Sequence, residues 1–275
     1  MKSILTLLLL FSITGVKNSS FAQALFEIQT FDLPENAVWT IDGLDNLIIS
    51  DKDKLSKYDK DGKLLFEQSQ KSTGRFDELG MVNTLKFYAF SESQQSVCFF
   101  DNSLTMLDKC IDFSQYDFMN ITAVASSSQS DKMWAFDQVN STLNLLSLKG
   151  LQQSQQVKNL NGILDASNIT QLLEWENKLF VLDSKKGVYI FDLYGTLMRF
   201  IAVKNAKWIQ VKEGKIICLM DYALEFYSIE EKPDDVIIHY SFRYSKPQKM
   251  LLASKHLYFQ QDQKIFKAMF FLNEE

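Results

Sequence analysis

The sequence predicts an all-β fold, a single six-bladed β-propeller with four-stranded blades. The main observation is a short apolar or aromatic segment that recurs six times and most often ends in Asp or Ser. The last positions of these segments are Asp59, Asp101, Ser147, Asp192, Ser228 and Ala268. Successive intervals are 42, 46, 45, 36 and 40 residues. A propeller blade occupies roughly 40–50 residues, so this spacing indicates one blade per repeat.

Each repeat divides into four short strands, because apolar and polar residues alternate between turn residues. The recurring segments are the third strands. The predicted inner strands, which would line the central channel, are Val38–Ile41, Met81–Leu85, Ile121–Ala125, Ile169–Leu173, Lys207–Val211 and Lys249–Leu252. The predicted fourth strands are Leu64–Gln68, Thr105–Phe113, Leu151–Val157, Thr196–Val203 and Val236–Phe242.

The sixth repeat lacks a fourth strand, whereas the alternating segment Leu25–Phe31 has no blade of its own. Pairing this segment beside Ile265–Phe271 would complete the sixth blade and remove an open sheet edge. The N-terminal strand is therefore predicted to close the ring. A seven-bladed ring is the alternative, and it needs strands that the sequence does not supply.

The first residues have the pattern of a secretory signal peptide. Lys2 provides a positive start, Ile4–Phe11 is an apolar run, and Ala22–Ala24 is a small-residue cleavage site. The apolar run is shorter than the ~20 residues of a transmembrane helix. No cysteine follows the cleavage site, as a lipid anchor would require. We expect a signal peptide over residues 1–24, a propeller over residues 25–275 and a periplasmic location.

The charge balance argues against nucleic acid as a partner. The chain has 29 Lys and Arg residues against 34 Asp and Glu residues, a net charge of −5. Loss of Lys2 and Lys17 with the signal peptide leaves 27 against 34, or −7. Nucleic-acid binding requires clustered basic residues that displace counterions, and the sequence has no such cluster.

The three cysteines leave at least one free thiol, because their number is odd. A hairpin turn at Asp101–Leu104 would place Cys98 opposite Leu107 and would direct Cys110 to the other face of the sheet. We therefore expect no bridge between Cys98 and Cys110 unless a bulge shifts the register. Cys218 lies in an apolar run and is predicted to be a core residue.

The first repeat resembles an NHL-type β-propeller repeat. The segments that carry the resemblance are Ile41–Asp51, Leu55–Leu64 and Gly74–Gly80. Repeats of that family have a similar "D-x-x-G-N-x-Y-V-x-D" run, then "K-F-D-x-x-G" and "G-x-F-x-x-P-x-G". Leu79 stands where the family pattern has proline. The resemblance implies a propeller but no particular activity, because propellers serve as enzymes, receptors and scaffolds.

The sequence offers few catalytic or metal-binding patterns. His239 and His256 are the two histidines, and both fit structural positions in strands. The segments Asp51–Asp53 and Asp59–Gly62 lack the ligand spacing of a calcium loop and are interpreted as turns. No nucleophile elbow or phosphate loop occurs. We therefore predict no catalytic residues, metal or cofactor; the alternative is an enzyme whose carboxylates converge from different blades.

The loops on one face of the ring form the predicted partner-binding surface. Exposed Arg, Tyr and Phe side chains are typical of protein-binding surfaces. The residues assigned to this surface are Arg75, Phe76, Tyr116, Phe118, Lys185, Lys186, Arg243 and Tyr244. The alternative is that Phe76 and Phe118 fold beneath their own loops.

These observations favour a non-catalytic periplasmic propeller that acts as a protein-interaction module. We expect an accessory subunit of an outer-membrane protein secretion or assembly complex, an expectation from the fold alone. The expected partner is an outer-membrane barrel or export complex. The alternative is a sugar-like small-ligand binder or a hydrolase that uses the central tunnel, into which Trp39, Lys207 and Trp208 would project.

Overall fold

The computed structural model describes residues 26–71, 73–149, 153–230, 238–242 and 246–270. These residues form six four-stranded antiparallel sheets arranged as the blades of a β-propeller. The predicted fold class is therefore confirmed. The predicted signal peptide, residues 1–24, lies outside the described residues.

The first three blades follow one another along the chain, and each runs from the channel outward. Blade 1 contains β2 (Val38–Ile41), β3 (Leu47–Asp51), β4 (Lys54–Tyr58) and β5 (Leu64–Ser69). Blade 2 contains β6 (Glu78–Asn83), β7 (Lys86–Ser91), β8 (Ser96–Asp101) and β9 (Ile111–Asp112). Blade 3 contains β10 (Ile121–Ser126), β11 (Lys132–Asp137), β12 (Thr142–Ser147) and β13 (Gln153–Val157).

The remaining blades have the same order, and blade 6 is completed by the first strand. Blade 4 contains β14 (Ile169–Trp175), β15 (Lys178–Asp183), β16 (Gly187–Asp192) and β17 (Leu197–Ile201). Blade 5 contains β18 (Trp208–Lys212), β19 (Lys215–Leu219), β20 (Ala223–Ser228) and β21 (Ile238–Ser241). Blade 6 contains β22 (Lys249–Leu252), β23 (His256–Gln261), β24 (Lys264–Met269) and β1 (Phe26–Asp32). Short 3₁₀ helices in the described chain span Phe113–Gln115, Leu160–Gly162 and Ala166–Asn168.

The N-terminal strand closes the ring as the sequence predicts. Strand β1 pairs antiparallel with β24, and Phe31 lies opposite Ile265. The first and last parts of the described chain are thereby joined in one sheet. This pairing covers the edge of β24 that an incomplete blade would expose.

Within the described ranges, the apolar core consists of six clusters, each shared by two neighbouring blades. The cluster between blades 6 and 1 contains Trp39, Tyr258 and Ile265, for example. Alternate residues of each strand point to opposite faces of its sheet, so a blade contributes to the clusters on both sides. The blades therefore stabilise one another, and the ring is continuous through these clusters.

The prediction for the outer part of blade 2 was wrong in two respects. Instead of a long fourth strand over Thr105–Phe113, the structure has the two-residue strand β9 followed by a 3₁₀ helix. The bridge Phe100–Met106 and the pair Val97–Ile111 differ in register by two residues. This shift places Cys98 opposite Cys110, and the two form a disulfide. Cys218 is free and buried, as expected.

The Asp that ends many third strands caps the turn that follows. The carboxylates of Asp59, Asp101 and Asp192 each accept hydrogen bonds from the backbone N–H groups two and four residues later. The residue three positions after each Asp has a positive φ, as Gly62 does at 84°. An Asp side chain that binds nearby backbone N–H groups stabilises a turn of this kind. The recurrent Asp of the sequence is therefore a structural residue.

The chain direction defines two faces of the ring. We call the face at which the inner strands begin the upper face, and the opposite one the lower face. The connections that lead into inner strands and the loops between second and third strands lie on the upper face. The Asp-capped turns between third and fourth strands lie on the lower face.

Candidate functional site

A cavity of about 250 Å³ opens at the upper end of the central channel. Its walls come from all six blades, because the first residues of the inner strands converge there. The lining residues are Ala37, Val38, Trp39, Asp77, Glu78, Phe90, Glu92, Thr122, Thr170, Trp208, Lys249 and Gln260. The cavity therefore combines indole rings, carboxylates and one lysine, and we call it the channel mouth.

Lys249 is the cation of the channel mouth. Its Nζ donates a hydrogen bond to the Trp39 carbonyl oxygen at 2.6 Å. The same atom lies 5.2 Å from the centre of the Trp39 ring and 4.6 Å from that of Trp208. Burial lowers the pKa of Lys249 to about 8, and the charge of Glu78 opposes this shift. The ammonium form is held by aromatic faces and a carbonyl, yet loses part of its hydration.

Glu78 is the corresponding partly buried acid, on blade 2. Its Oε1 accepts a hydrogen bond of 2.7 Å from the Tyr88 hydroxyl. Burial raises the pKa of Glu78, although the Tyr88 hydrogen bond and the Lys249 charge oppose the shift. Burial and the nearby Glu78 carboxylate raise the pKa of Tyr88 well above its usual value of 10. Glu78 and Lys249 thus interact through space, while each forms its hydrogen bond with another group.

Two further polar atoms of the channel-mouth residues are buried without a hydrogen-bond partner. They are the indole Nε1 of Trp208 and the hydroxyl Oγ1 of Thr122. An indole N–H can only donate, and a buried donor without an acceptor is energetically unfavourable. Such groups often mark a place where a ligand or a water supplies the missing acceptor.

The structure places two of the three predicted tunnel residues at the channel mouth. Trp39 and Trp208 line it, although Trp39 is completely buried. Lys207 instead forms an ion pair of 2.6 Å with Asp221 at the rim. The lysine that lines the mouth is Lys249. Its signal was present in the sequence, because Lys249 opens the predicted sixth inner strand as Lys207 opens the predicted fifth.

The predicted loop residues lie on the upper face, as the topology requires, but their exposure differs. Arg75, Lys185 and Lys186 are exposed. Tyr116 and Phe118 are partly buried. Phe76 is 1% exposed and contacts Phe100 edge-on. The alternative that this ring folds beneath its loop therefore holds for Phe76.

The two other predicted loop residues, Arg243 and Tyr244, lie outside the described residues.

A neighbouring apolar surface on the upper face extends the predicted loop segment at Phe118 and Met119 by Val139, which the sequence did not indicate. The side chains of Met119 and Val139 are 66% and 61% exposed. The carboxylate of Asp137, which is completely buried, accepts hydrogen bonds from the backbone N–H groups of Met119, Asn120 and Asn140. One carboxylate thus holds two adjacent loops together beneath the exposed side chains. We call Met119 and Val139, with the partly buried Phe118 beside them, the apolar loop patch.

The histidines lie in strands, as expected. His256 belongs to β23, and its Nδ1 lies 3.1 Å from the Asp45 carboxylate of blade 1. His239 belongs to the outer strand β21.

Across the described ranges, no group of three or more His, Cys, Asp or Glu side chains is arranged to hold a metal ion. No helix within those ranges is long and apolar enough to cross a membrane.

Comparison with known proteins relates the chain to β-propellers through structure alone. No protein-family model matches the sequence, and no curated protein matches it. Virginiamycin B lyase from Staphylococcus aureus superposes with a TM-score of 0.61 at 10% identity, covering 88% of this chain and 99% of the lyase chain. The Pan2 WD40 domain of Neurospora crassa gives a TM-score of 0.63 at 8% identity, covering 90% and 96% of the two chains.

A computationally designed protein, Ika8, is also similar. Its TM-score is 0.53 at 10% identity, with 85% of this chain and 70% of that chain covered. At these identities the likeness concerns the fold, since propellers with unrelated functions share it. The chain is therefore similar to β-propellers, and its function has to be argued from its own surface and channel.

Proposed function

We propose that this protein is a non-catalytic protein-interaction module that binds its partner through the upper face of the propeller. The apolar loop patch is the observation that carries this proposal. Met119 and Val139 are more than half exposed, and their loops are fixed by a buried carboxylate. Apolar side chains on a preorganised surface bind a partner at a low cost in conformational entropy.

The charged residues of the same face add to the proposed binding surface. Lys185 and Lys186 project from the loop between β15 and β16, and Asp183 accepts hydrogen bonds from both of their backbone N–H groups. Arg75 is also exposed, at 4.0 Å from Asp77. Basic groups around an apolar centre favour a partner with acidic residues at its rim.

The proposed setting is the bacterial periplasm, where the protein would serve as an accessory subunit of an outer-membrane secretion or assembly complex. The support for the location is the signal-like pattern of residues 1–24. The support for a complex is the apolar loop patch. An outer-membrane barrel or an export complex is the proposed partner.

The proposal is tested by recovering the partner together with this protein from native envelopes. Recovery is compared between the unmodified protein and variants with substitutions on each face. The protein is tagged at Glu275, extracted with mild detergent and separated by size, and the co-migrating proteins are identified by mass spectrometry. Met119→Glu with Val139→Glu should abolish recovery of the complex, because two charges would enter an apolar interface.

The control is Leu85→Glu, because Leu85 is 63% exposed in the β6–β7 hairpin on the lower face. This variant should recover the complex as the unmodified protein does. The proposal would be contradicted if the tagged protein without these substitutions were recovered as a free monomer. Recovery of the same amount of complex with both variants would also contradict it.

A further inference from the structure

The channel mouth has two sides of opposite charge. Lys249 of blade 6 and Trp208 of blade 5 lie on one side, whereas Glu78 and Glu92 belong to blade 2. Blades 2 and 5 face one another in a ring of six. The Lys249 ammonium and the Glu78 carboxylate have different hydrogen-bond partners, Trp39 and Tyr88. A molecule between them would meet a cation at one end and carboxylates at the other.

The side near Lys249 presents hydrogen-bond donors. The ammonium has three N–H bonds, of which the Trp39 carbonyl takes one. The indole N–H of Trp208, on the neighbouring blade 5, has no acceptor. A carboxylate accepts from several donors at once and carries the charge that an ammonium favours. This side therefore fits a ligand carboxylate.

The side formed by blade 2 presents acceptors. Glu78 and Glu92 line the mouth together with Asp77, which accepts a hydrogen bond from the Glu92 backbone N–H. Burial raises the pKa of both Glu78 and Glu92, and the charge of Asp77 adds to the shift of Glu92. A ligand ammonium would relieve the repulsion among these carboxylates. This side therefore fits an amine.

Size and apolar lining limit the rest of the ligand. The cavity of about 250 Å³ is smaller than the roughly 300–1,000 Å³ of pockets that take drug-sized ligands. Ala37, Val38 and Phe90 contribute apolar surface. Stacking on the indole faces is restricted, because Trp39 is completely buried and Lys249 covers one face of each ring. The restricted stacking disfavours a sugar, and the apolar lining favours a compact molecule with a small apolar group.

We propose that the channel mouth binds a free α-amino acid with a small apolar side chain, in its zwitterionic form. The ligand carboxylate accepts hydrogen bonds from Lys249 and Trp208, and the ligand ammonium lies against Glu78 and Glu92. The site is independent of the apolar loop patch, so binding of an amino acid and binding of a protein partner are separately testable.

The first experiment is calorimetric titration of the purified protein at pH 7 with three matched compounds. L-Valine carries both charged groups, isobutylamine lacks the carboxylate, and isovalerate lacks the amine. L-Valine is expected to bind at least about tenfold more tightly than either analogue, because each loses charge-assisted hydrogen bonds. Equal binding of an analogue, or no binding of L-valine up to about 10 mM, would overturn the proposal.

The second experiment assigns the two ends of the site. Trp208→Phe keeps an aromatic ring and removes the indole N–H. It should weaken L-valine binding roughly tenfold and leave isobutylamine binding unaffected. Glu78→Gln should weaken the binding of L-valine and of isobutylamine, and should leave the binding of isovalerate unaffected. Lys207→Met is the control, because Lys207 is paired with Asp221 at the rim. This variant should bind all three compounds as the unmodified protein does.

Near-ultraviolet circular dichroism shows whether each variant is folded. If Glu78→Gln does not fold, Trp208→Phe and the three-compound comparison still decide the proposal. Folded variants that bind L-valine as the unmodified protein does would refute the assignment.

Discussion

Asp42 and Lys57 form a buried ion pair within blade 1: the Lys57 Nζ lies 2.7 Å from the Asp42 carboxylate, and both side chains are at most 1% exposed. The same ammonium donates to the Asn102 carbonyl oxygen of blade 2 at 3.1 Å. Burial by itself would raise the pKa of Asp42, but hydrogen bonds from Lys57, Asn46 and Leu44 lower it overall. The pair therefore joins the Asp42 turn, strand β4 and the neighbouring blade.

Replacing Lys57 by Met should strongly destabilise the propeller. The change leaves the Asp42 carboxylate buried without its counter-ion, which typically costs about 3–5 kcal/mol in the free energy of unfolding. Urea denaturation of Lys57→Met measures this loss. Lys54→Met is the matched control on the same strand, because its pair with Glu67 is 46% exposed on both sides and should contribute less than about 1 kcal/mol. Similar losses for both variants would contradict the interpretation.

Much of the fold follows from local patterns that the sequence displays. Alternation places the inner strand Val38–Ile41 as observed, and the recurrent Asp residues mark the turns that they cap. The pairing of β1 with β24 follows from counting strands, because an incomplete blade leaves an edge. The strands and turns depend on residues close together in sequence, and the pairing of β1 with β24 depends on the rule that an open sheet edge is covered.

The features that were missed depend on register and on distant residues. The Cys98–Cys110 bridge requires a shift of two residues in the turn region of blade 2, which alternation does not reveal. The channel mouth combines Glu78, Trp208 and Lys249, which are far apart in sequence. A lysine in a sequence usually indicates an exposed position, so the partial burial of Lys249 becomes evident only when six inner strands converge.

Lys249 should make stability depend on pH in alkaline solution. Its pKa falls from 10.5 to about 8 on folding, so between these values the unfolded chain binds more protons. The contribution of this group to the free energy of unfolding therefore rises as pH increases from about 8 to 10.5. This stabilisation is lost again as pH falls through about 8. The change amounts to roughly 3–4 kcal/mol.

Denaturation at several pH values in that window, compared between the unmodified protein and Lys249→Met, isolates this contribution. The difference in stability between the two should change with pH as described. Lys207→Met controls for the loss of a lysine at the same face. A difference that stays constant across the window would show that Lys249 does not carry the effect.

The Cys98–Cys110 disulfide should stabilise the protein measurably. The bridge spans 12 residues, and a loop of this length is worth about 3 kcal/mol in the chain-entropy description. Reduction should lower the melting temperature of the unmodified protein and leave that of a Cys98→Ser/Cys110→Ser double variant unchanged. Cys218→Ser should retain the response to reductant.

Alkylation of the native protein provides an independent measurement. Cys218 is completely buried, and burial raises the pKa of its thiol, so it should react slowly. Mass spectrometry of the unreduced protein should therefore find none of the three cysteines alkylated. Rapid labelling at Cys98 or Cys110 without reductant would contradict the bridge.

Gly187 should be intolerant of any side chain, because it opens β16 with a φ of +143° in close contact with the next strand. A Cβ at this position would lie 2.1 Å from the Ile201 carbonyl oxygen and 2.7 Å from the Val203 nitrogen. Backbone atoms cannot move aside as a flexible side chain can. Gly187→Ala should therefore lower the free energy of unfolding by at least about 2 kcal/mol, from backbone strain and displacement of β17.

Gly162→Ala is the matched control for this substitution. Gly162 has no positive φ, and a Cβ there would meet no atom within 4 Å. Alanine at such a position restricts the unfolded chain, so this variant should be unchanged or slightly more stable, by up to about 1 kcal/mol. Chemical denaturation of the two variants separates the local requirement at Gly187 from a general effect of replacing glycine. Equal stability of both variants would mean that the close approach between β16 and β17 relaxes without cost.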